Sequence, residues 1–234
     1  FLLSFPLSLA VFAISLPAQF GTQIKVDINT KRAGYNGSPQ IARGGTGGTA
    51  PRGMLECGGN YYYVASSLLN GLELWKTDGT VAGTMMVKDV NPGTTGSSPK
   101  NLTCCNGKVF FSADDGTNGI ELWVTDGTEA GTQLTADIRA GSANALTNTA
   151  HLECLNNKVY FAANNGTSGV ELWTSDGTSA GTVMVKDIRT GTGGSAPAVL
   201  KRNSAGTAIY FRANSGTTGG ELWVTDGTTA GTVL

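Results

Sequence analysis

The residues best suited to chemistry are carboxylates that recur at a fixed spacing. The glutamates are Glu73, Glu121, Glu171 and Glu221, and the aspartates five residues further on are Asp78, Asp126, Asp176 and Asp226. Paired carboxylates can act as general acid and base, but a residue needed once for catalysis is not expected in every repeat. We therefore predict that each aspartate caps its own turn through side-chain to backbone hydrogen bonds. The candidate partners of the glutamates are Lys88, Lys186 or a backbone amide of the next unit.

Other catalytic chemistry has little support in the sequence. A Gly-x-Ser-x-Gly elbow is missing, and His151 is the single histidine that could act as a base. We therefore predict no catalytic residue and no organic cofactor.

Calcium is the one ion that the sequence brings into consideration. Asp114, Asp115 and Asn118 lie in an oxygen-rich run, and Ca²⁺ takes 6–8 oxygen ligands. The run does not follow the EF-hand pattern, and its copy at 214–216 lacks a carboxylate. A simple turn is therefore favoured over a calcium site.

Four cysteines occupy two adjacent positions of one recurring strand: Cys57, Cys104, Cys105 and Cys154. They form no C-x-x-C motif, so a zinc site is not indicated. If the repeats are neighbours in order, Cys57 should approach Cys104 or Cys105, and the other member of that pair should approach Cys154. Disulfides between neighbouring repeats and buried free thiols are both compatible with this placement.

The elements that must position these groups belong to a repeat. Glu-Leu-Trp, two variable residues and Asp-Gly-Thr occur four times, with 48, 50 and 50 residues between successive tryptophans. Such self-similarity is typical of repeat architectures. The repeats span about 54–100, 101–149, 150–198 and a truncated 199–234. The tryptophans are Trp75, Trp123, Trp173 and Trp223, and the turn glycines are Gly79, Gly127, Gly177 and Gly227.

Each repeat is predicted to be four short strands joined by tight turns. In the third repeat, the first strand begins at 151–154 and the other three cover 158–163, 170–175 and 182–188. Asn-Gly and Asp-Gly form the hairpin turns. Val170 and Leu172 point to one face and Trp173 to the other, so both faces need apolar neighbours.

This pattern favours an all-β fold, a β-propeller-like array of four-stranded antiparallel blades, over a parallel β-helix. The fourth motif begins its own fourth strand at 231–234, so we expect an open, incomplete arc. Each tryptophan should be mostly buried between adjacent sheets; the burial of Trp223 is left open, because its outer neighbour is missing.

The start of the chain differs in composition from the repeats. Residues 1–18 are apolar and end on a small residue, which is typical of a signal peptide. Within the domain at 19–234, we predict a strand at 23–29 and a Gly-rich basic loop at 30–53. The net charge of −1 gives no indication of nucleic-acid binding. No stable membrane span is expected in the mature chain.

The four motifs, together with Val-Lys-Asp-Ile at 185–188 and Asn-Pro-Gly at 91–93, resemble the ELWxxDGT repeat family. The resemblance implies an exported bacterial protein, secreted or at the cell surface, joined to further repeats of the same polypeptide. It implies no general biochemical activity. Two function classes follow, a non-catalytic scaffold that binds an extracellular protein or polysaccharide, and a secreted carbohydrate- or polymer-active enzyme with its site on the axial face.

Overall fold

A computed structural model describes residues 54–147, 150–217 and 219–234. The expectations for 1–18, 23–29 and 30–53 lie outside these residues. The first blade contains β1 (Leu55–Cys57), β2 (Asn60–Ser67), β3 (Gly71–Thr77) and β4 (Met85–Met86). The second contains β5 (Lys100–Cys105), β6 (Lys108–Asp114), β7 (Ile120–Thr125) and β8 (Gln133–Leu134). The third contains β9 (Glu153–Leu155), β10 (Lys158–Asn164), β11 (Val170–Ser175) and β12 (Val183–Lys186), and the fourth β13 (Ala198–Arg202), β14 (Ile209–Asn214) and β15 (Gly220–Thr225).

Each blade is an antiparallel meander in which sequential strands are neighbours. Three sheets have four strands, and the fourth has three strands followed by an antiparallel bridge between Val224 and Val233. The predicted all-β array of four-stranded blades in an open arc is therefore confirmed. Among the described residues, no helix has the length and apolar character to cross a membrane.

Two strands of the third blade are shorter than the sequence predicted. β12 ends at Lys186, because the amide of Ile188 donates to the Glu171 carboxylate instead of to β11. β9 begins at Glu153, two residues after the predicted start at His151. The residues equivalent to His151 in the adjoining blades, Asn101 and Val199, have φ of 58° and 56°. At these two residues the pairing of β5 with β6 and of β13 with β14 shifts register.

Side chains alternate between the two faces of a strand, so the Leu and Trp of each third strand contact the blades on opposite sides. Leu122 packs forward onto Phe161 of the third blade, and Trp123 packs backward onto Leu74 of the first. In the same way Trp223 packs on Leu172 and is 7 % exposed. The question left open for Trp223 is thereby answered: it is buried, because its indole faces the preceding blade. Trp75 and Trp123 are also buried, and Trp173 is half-buried.

The first strands of successive blades lie side by side, and disulfides join them. Cys57 is bonded to Cys104 and Cys105 to Cys154, each with Cα atoms 5.5 Å apart. Because consecutive strand residues point to opposite faces, Cys104 reaches back to the first blade and Cys105 reaches forward to the third. Of the two alternatives for the cysteines, the structure therefore shows the disulfides.

The two ends of the blades carry different connections. The turns between first and second strands and the Asp-Gly-Thr turns lie at one end, here called the DGT end. The turns between second and third strands and the linkers between blades lie at the other, here called the linker end. In the first blade the turn at the linker end lacks Asp-Gly-Thr or Asn-Gly-Thr, and it is closed by bonds between Ser67 and Asn70 instead.

Candidate functional site

Three of the four repeated glutamates, Glu73, Glu121 and Glu171, hold the linkers that lead to the next blade. The carboxylate of Glu171 accepts hydrogen bonds from the amides of Ile188, Arg189 and Ser195, and from the Ser195 hydroxyl at 2.6 Å. Glu73 likewise accepts from the Asn91 amide and from the amide and hydroxyl of Ser97. A backbone amide is thus the partner, but it belongs to the linker of the same repeat and not to the next blade.

The two lysines that were alternative partners of the glutamates bond elsewhere. The Lys88 ammonium donates to the Thr132 carbonyl of the second blade, and the Lys186 ammonium donates to the Thr232 carbonyl of the fourth. Lys186 also lies 5.9 Å from the ring centre of Trp223. These lysines therefore connect neighbouring blades.

Glu121 differs from Glu73 and Glu171 because its linker has an alanine where theirs have a serine. It accepts from the amides of Ile138 and Arg139, and Ala145 stands where Ser97 and Ser195 stand in the other linkers. Burial raises the pKa of Glu121 to about 8, opposed by the amide bonds and reinforced by the Asp137 carboxylate. Burial also raises the pKa of Glu171, with the Ser195 hydroxyl acting in the opposite direction.

The repeated aspartates cap their own turns, as the sequence predicted. Oδ1 of Asp176 accepts from the amide and the hydroxyl of Thr178, and these bonds lower the pKa of the carboxyl. Asp78, Asp126 and Asp226 make the same pair of bonds. A side chain at Gly181 would collide with the Asp176 carboxylate. The turn runs from Asp176 to Thr182, one residue longer than the 176–181 that the predicted strands leave between them.

In the second, third and fourth blades, the glycine of the Asp-Gly-Thr turn packs against an aromatic residue of the preceding blade. Gly127 lies at the Tyr62 hydroxyl and Gly227 at the Tyr160 hydroxyl, so a side chain at either position would meet the phenol. Gly177 lies over Phe110 in the same way. Gly79, Gly127, Gly177 and Gly227 all have positive φ. These turns therefore serve the packing between blades.

The calcium candidates use their oxygens within the turn. Asp115 Oδ1 accepts from the amides of Thr117 and Asn118, and Asp115 Oδ2 accepts from the Asn118 side chain at 2.8 Å. Asp114 Oδ1 accepts from the Gly116 amide. Within the described residues, no group of three or more His, Cys, Asp or Glu is arranged to hold a metal ion.

A cavity of about 260 Å³ lies at the linker end, where the first linker meets the second blade. Asn91, Thr95 and Ser98 line it from the linker side, and Lys100, Ser112, Asp114 and Ile120 line it from the second blade. Sequence reasoning missed this cavity. It depends on side-chain volumes where the linker meets the second blade, and the order of the residues does not reveal these.

No protein-family model matches the chain, and no curated protein matches it. Among solved structures, the chain is similar to puromycin hydrolase with 18 % identity and a TM-score of 0.49, over 72 % of this chain and 26 % of that one. It is similar to an acylaminoacyl peptidase from Pyrococcus horikoshii, with 12 % identity and a TM-score of 0.44 over 76 % and 26 %. A putative TolB from Agrobacterium tumefaciens gives 8 % identity and a TM-score of 0.40 over 73 % and 59 %. The chain thus spans about a quarter of the length of the first two proteins.

Proposed function

We propose that the protein is a non-catalytic, extracellular or cell-surface repeat protein that binds an extracellular protein or polysaccharide. One observation supports this most strongly, namely that recurring carboxylates are already used in the frame. Glu73, Glu121 and Glu171 are buried and hold linkers, and the repeated aspartates close turns. Carboxylates committed to the frame are not available to move protons to or from a substrate.

The alternative, a secreted carbohydrate- or polymer-active enzyme with its site on the axial face, needs polar groups that converge. The phenols of Tyr62 and Tyr160 pack at the DGT end against the next blade. Arg139 and Arg189 begin linkers at the opposite end. These tyrosines and arginines therefore lie at opposite ends of the blades, which favours the binding role.

Secretion is part of the proposal and is supported by the two disulfides. Disulfides form and persist in oxidising compartments, and both bridges join neighbouring blades. We also propose that a further repeat is a partner of the fourth blade. Its forward face exposes Tyr210 and Leu222, whereas the equivalent Tyr160 and Leu172 are covered by the next blade.

The proposal is tested by incubating the chain with a panel of cell-wall polysaccharides and extracellular matrix proteins. Co-sedimentation or surface plasmon resonance reports binding, and release of reducing sugars or peptides reports turnover. We expect saturable binding to at least one polymer with no product released. Turnover that scales with protein concentration would overturn the proposal in favour of the enzyme, and a panel with neither binding nor turnover would also overturn it.

A further inference from the structure

We propose that the cavity at the first linker binds a single sugar ring. This inference rests on the binding role proposed above and assigns it a site and a ligand class. The volume of about 260 Å³ lies just below the roughly 300–1,000 Å³ of sites for drug-sized ligands. A ligand of that size is one ring and not an extended chain.

The lining offers the mixture of donors and acceptors that a ring of hydroxyl groups requires. Asp114 is an acceptor-only carboxylate, Lys100 is a donor-only ammonium, and Ser98 and Thr95 carry hydroxyls that can do either. Asn91 adds an amide next to Gly116. A sugar hydroxyl can donate to a carboxylate and accept from an ammonium or amide, so one ring can use every group in this set.

The site also has a rigid floor and an apolar wall. Ser112 is buried, accepts a bond from the Asn101 side chain at 3.0 Å and donates to the Lys100 carbonyl. The Ser97 carbonyl accepts from the Asp114 amide, which fixes the linker against the second blade. Ile120 supplies an apolar surface for the C–H face of a ring. Ser112 and the linker backbone are thus held in place before a ligand arrives, which reduces the entropy lost on binding.

At the other two linkers, different residues occupy the positions that line this cavity. The comparison shows whether a blade requires the polar groups found here. Asp114 is replaced by Asn164 and Asn214, and Ser98 by Leu146 and Ala196. Ser112 is replaced by Ala162 and Arg212. The fold tolerates apolar or uncharged residues at each of these positions, so the hydroxyls and the carboxylate are not needed to build a blade.

Asn91 is the replacement that keeps the cavity open. The equivalent residues are Arg139 and Arg189, whose side chains run past Gly166 and Gly216. Arg139 donates to the carbonyl of Asn144 at 3.3 Å, and Asn91 donates to the equivalent Gly96 carbonyl at 3.4 Å. The shorter side chain satisfies the same carbonyl and leaves the adjoining space free.

The test uses the full chain and methyl glycosides of common hexoses, N-acetylhexosamines and hexuronic acids, with glycine and alanine as non-sugar probes. Ligand-observed NMR should detect binding of at least one glycoside, with a Kd of about 1 mM for so few atoms. Asn91→Arg introduces the residue that two other repeats carry and should abolish this binding. Asp114→Asn keeps the turn, as Asn164 does, and should weaken binding by about tenfold or more.

The matched control is Asp115→Asn, which removes the same charge from the same turn at a residue outside the cavity lining and should leave Kd within about twofold. Circular dichroism and unfolding curves check that each variant is folded. The inference is overturned if no glycoside binds, if only the amino acids bind, or if Asn91→Arg binds as the wild type does. In each of these cases, polymer binding in the preceding experiment would leave the proposed function standing.

Discussion

The Glu171 carboxylate and the Ser195 hydroxyl lie 2.6 Å apart and are both buried. Their bond fastens the third strand of one blade to the linker that begins the next. The first repeat has the same pair, Glu73 and Ser97. The second repeat lacks it because Ala145 provides no hydroxyl, which leaves Glu121 with amide donors alone.

We expect the stability of the second blade to fall as the pH rises towards 8. The pKa of Glu121 is raised from 4.5 to about 8 on folding. A folded-state pKa above the unfolded value means that the unfolded state loses its proton first, so stability is full below about pH 4.5 and is lost progressively up to about pH 8. Urea unfolding of the wild type between pH 5 and pH 8.5 should show this loss.

Two variants isolate the contribution of Glu121. Ala145→Ser restores the hydroxyl donor, favours the charged carboxylate and should stabilise the chain at pH 8 by about 1 kcal/mol. Glu121→Gln removes the titrating group and should flatten the pH dependence, apart from the smaller contributions of Glu73 and Glu171. An unchanged slope in Glu121→Gln would show that Glu121 does not carry the effect.

Trp223→Ala should cost about 3–5 kcal/mol of unfolding free energy, because it removes an indole packed between two blades. Tyr210→Ala is the matched control on the opposite face of the same blade, where the ring is 43 % exposed. It should change stability by about 0.5 kcal/mol or less. Equal losses in the two variants, measured by denaturant unfolding, would contradict the backward direction of the tryptophans.

Val199→Asn should stabilise the chain by about 1 kcal/mol. Val199 is exposed and has φ of 56°, a conformation that is strained for a β-branched residue and tolerated by asparagine. Asn101 already occupies the equivalent position with φ of 58°. Val183→Asn is the control, since that exposed strand residue has no positive φ and asparagine should destabilise it. A loss of stability at both positions would argue against strain at Val199.

The chain should self-associate through the forward face of the fourth blade. Leu222 is 68 % exposed on this face, beside Tyr210, and apolar faces of this kind are covered in the preceding blades. Multi-angle light scattering should show a mass that rises with concentration, and Leu222→Glu should reduce this rise. Leu68→Glu, at an exposed turn leucine, should leave it unchanged. A wild-type monomer at every concentration would contradict the proposed docking of a further repeat.

The sequence predicted the elements that are built from local signals. The tryptophan spacing identified the blades because every blade repeats the same strand, and aspartate before glycine identified the caps because each cap depends on residues within one turn. The partner of Glu171 lies 24 residues further on in a linker, so no local pattern connects them. The recurrence of Gly-Ser-x-Pro at 96–99 and 194–197 is the signal that could have indicated Ser97 and Ser195.

Other features were beyond sequence reasoning because they depend on packing. The direction in which Trp223 points follows from the order in which the blades stack, and strand alternation alone does not fix that order. The cavity depends on one short side chain, Asn91, at a position where Arg139 and Arg189 are long. Volumes of this kind become visible only when the linker and the next blade are placed together.

The most direct test of the stacked arc is a third disulfide at the interface that lacks one. Leu155 and Arg202 occupy, between the third and fourth blades, the positions that Cys57 and Cys104 occupy between the first and second. Leu155→Cys with Arg202→Cys should therefore form a bridge, while Leu155→Cys with Lys201→Cys should not, because Lys201 points to the opposite face. Alkylation and mass spectrometry without reductant should find no free thiol in the first double variant and two in the second. Two alkylated thiols at 155 and 202, with both native bridges intact, would contradict equivalent stacking of the four blades.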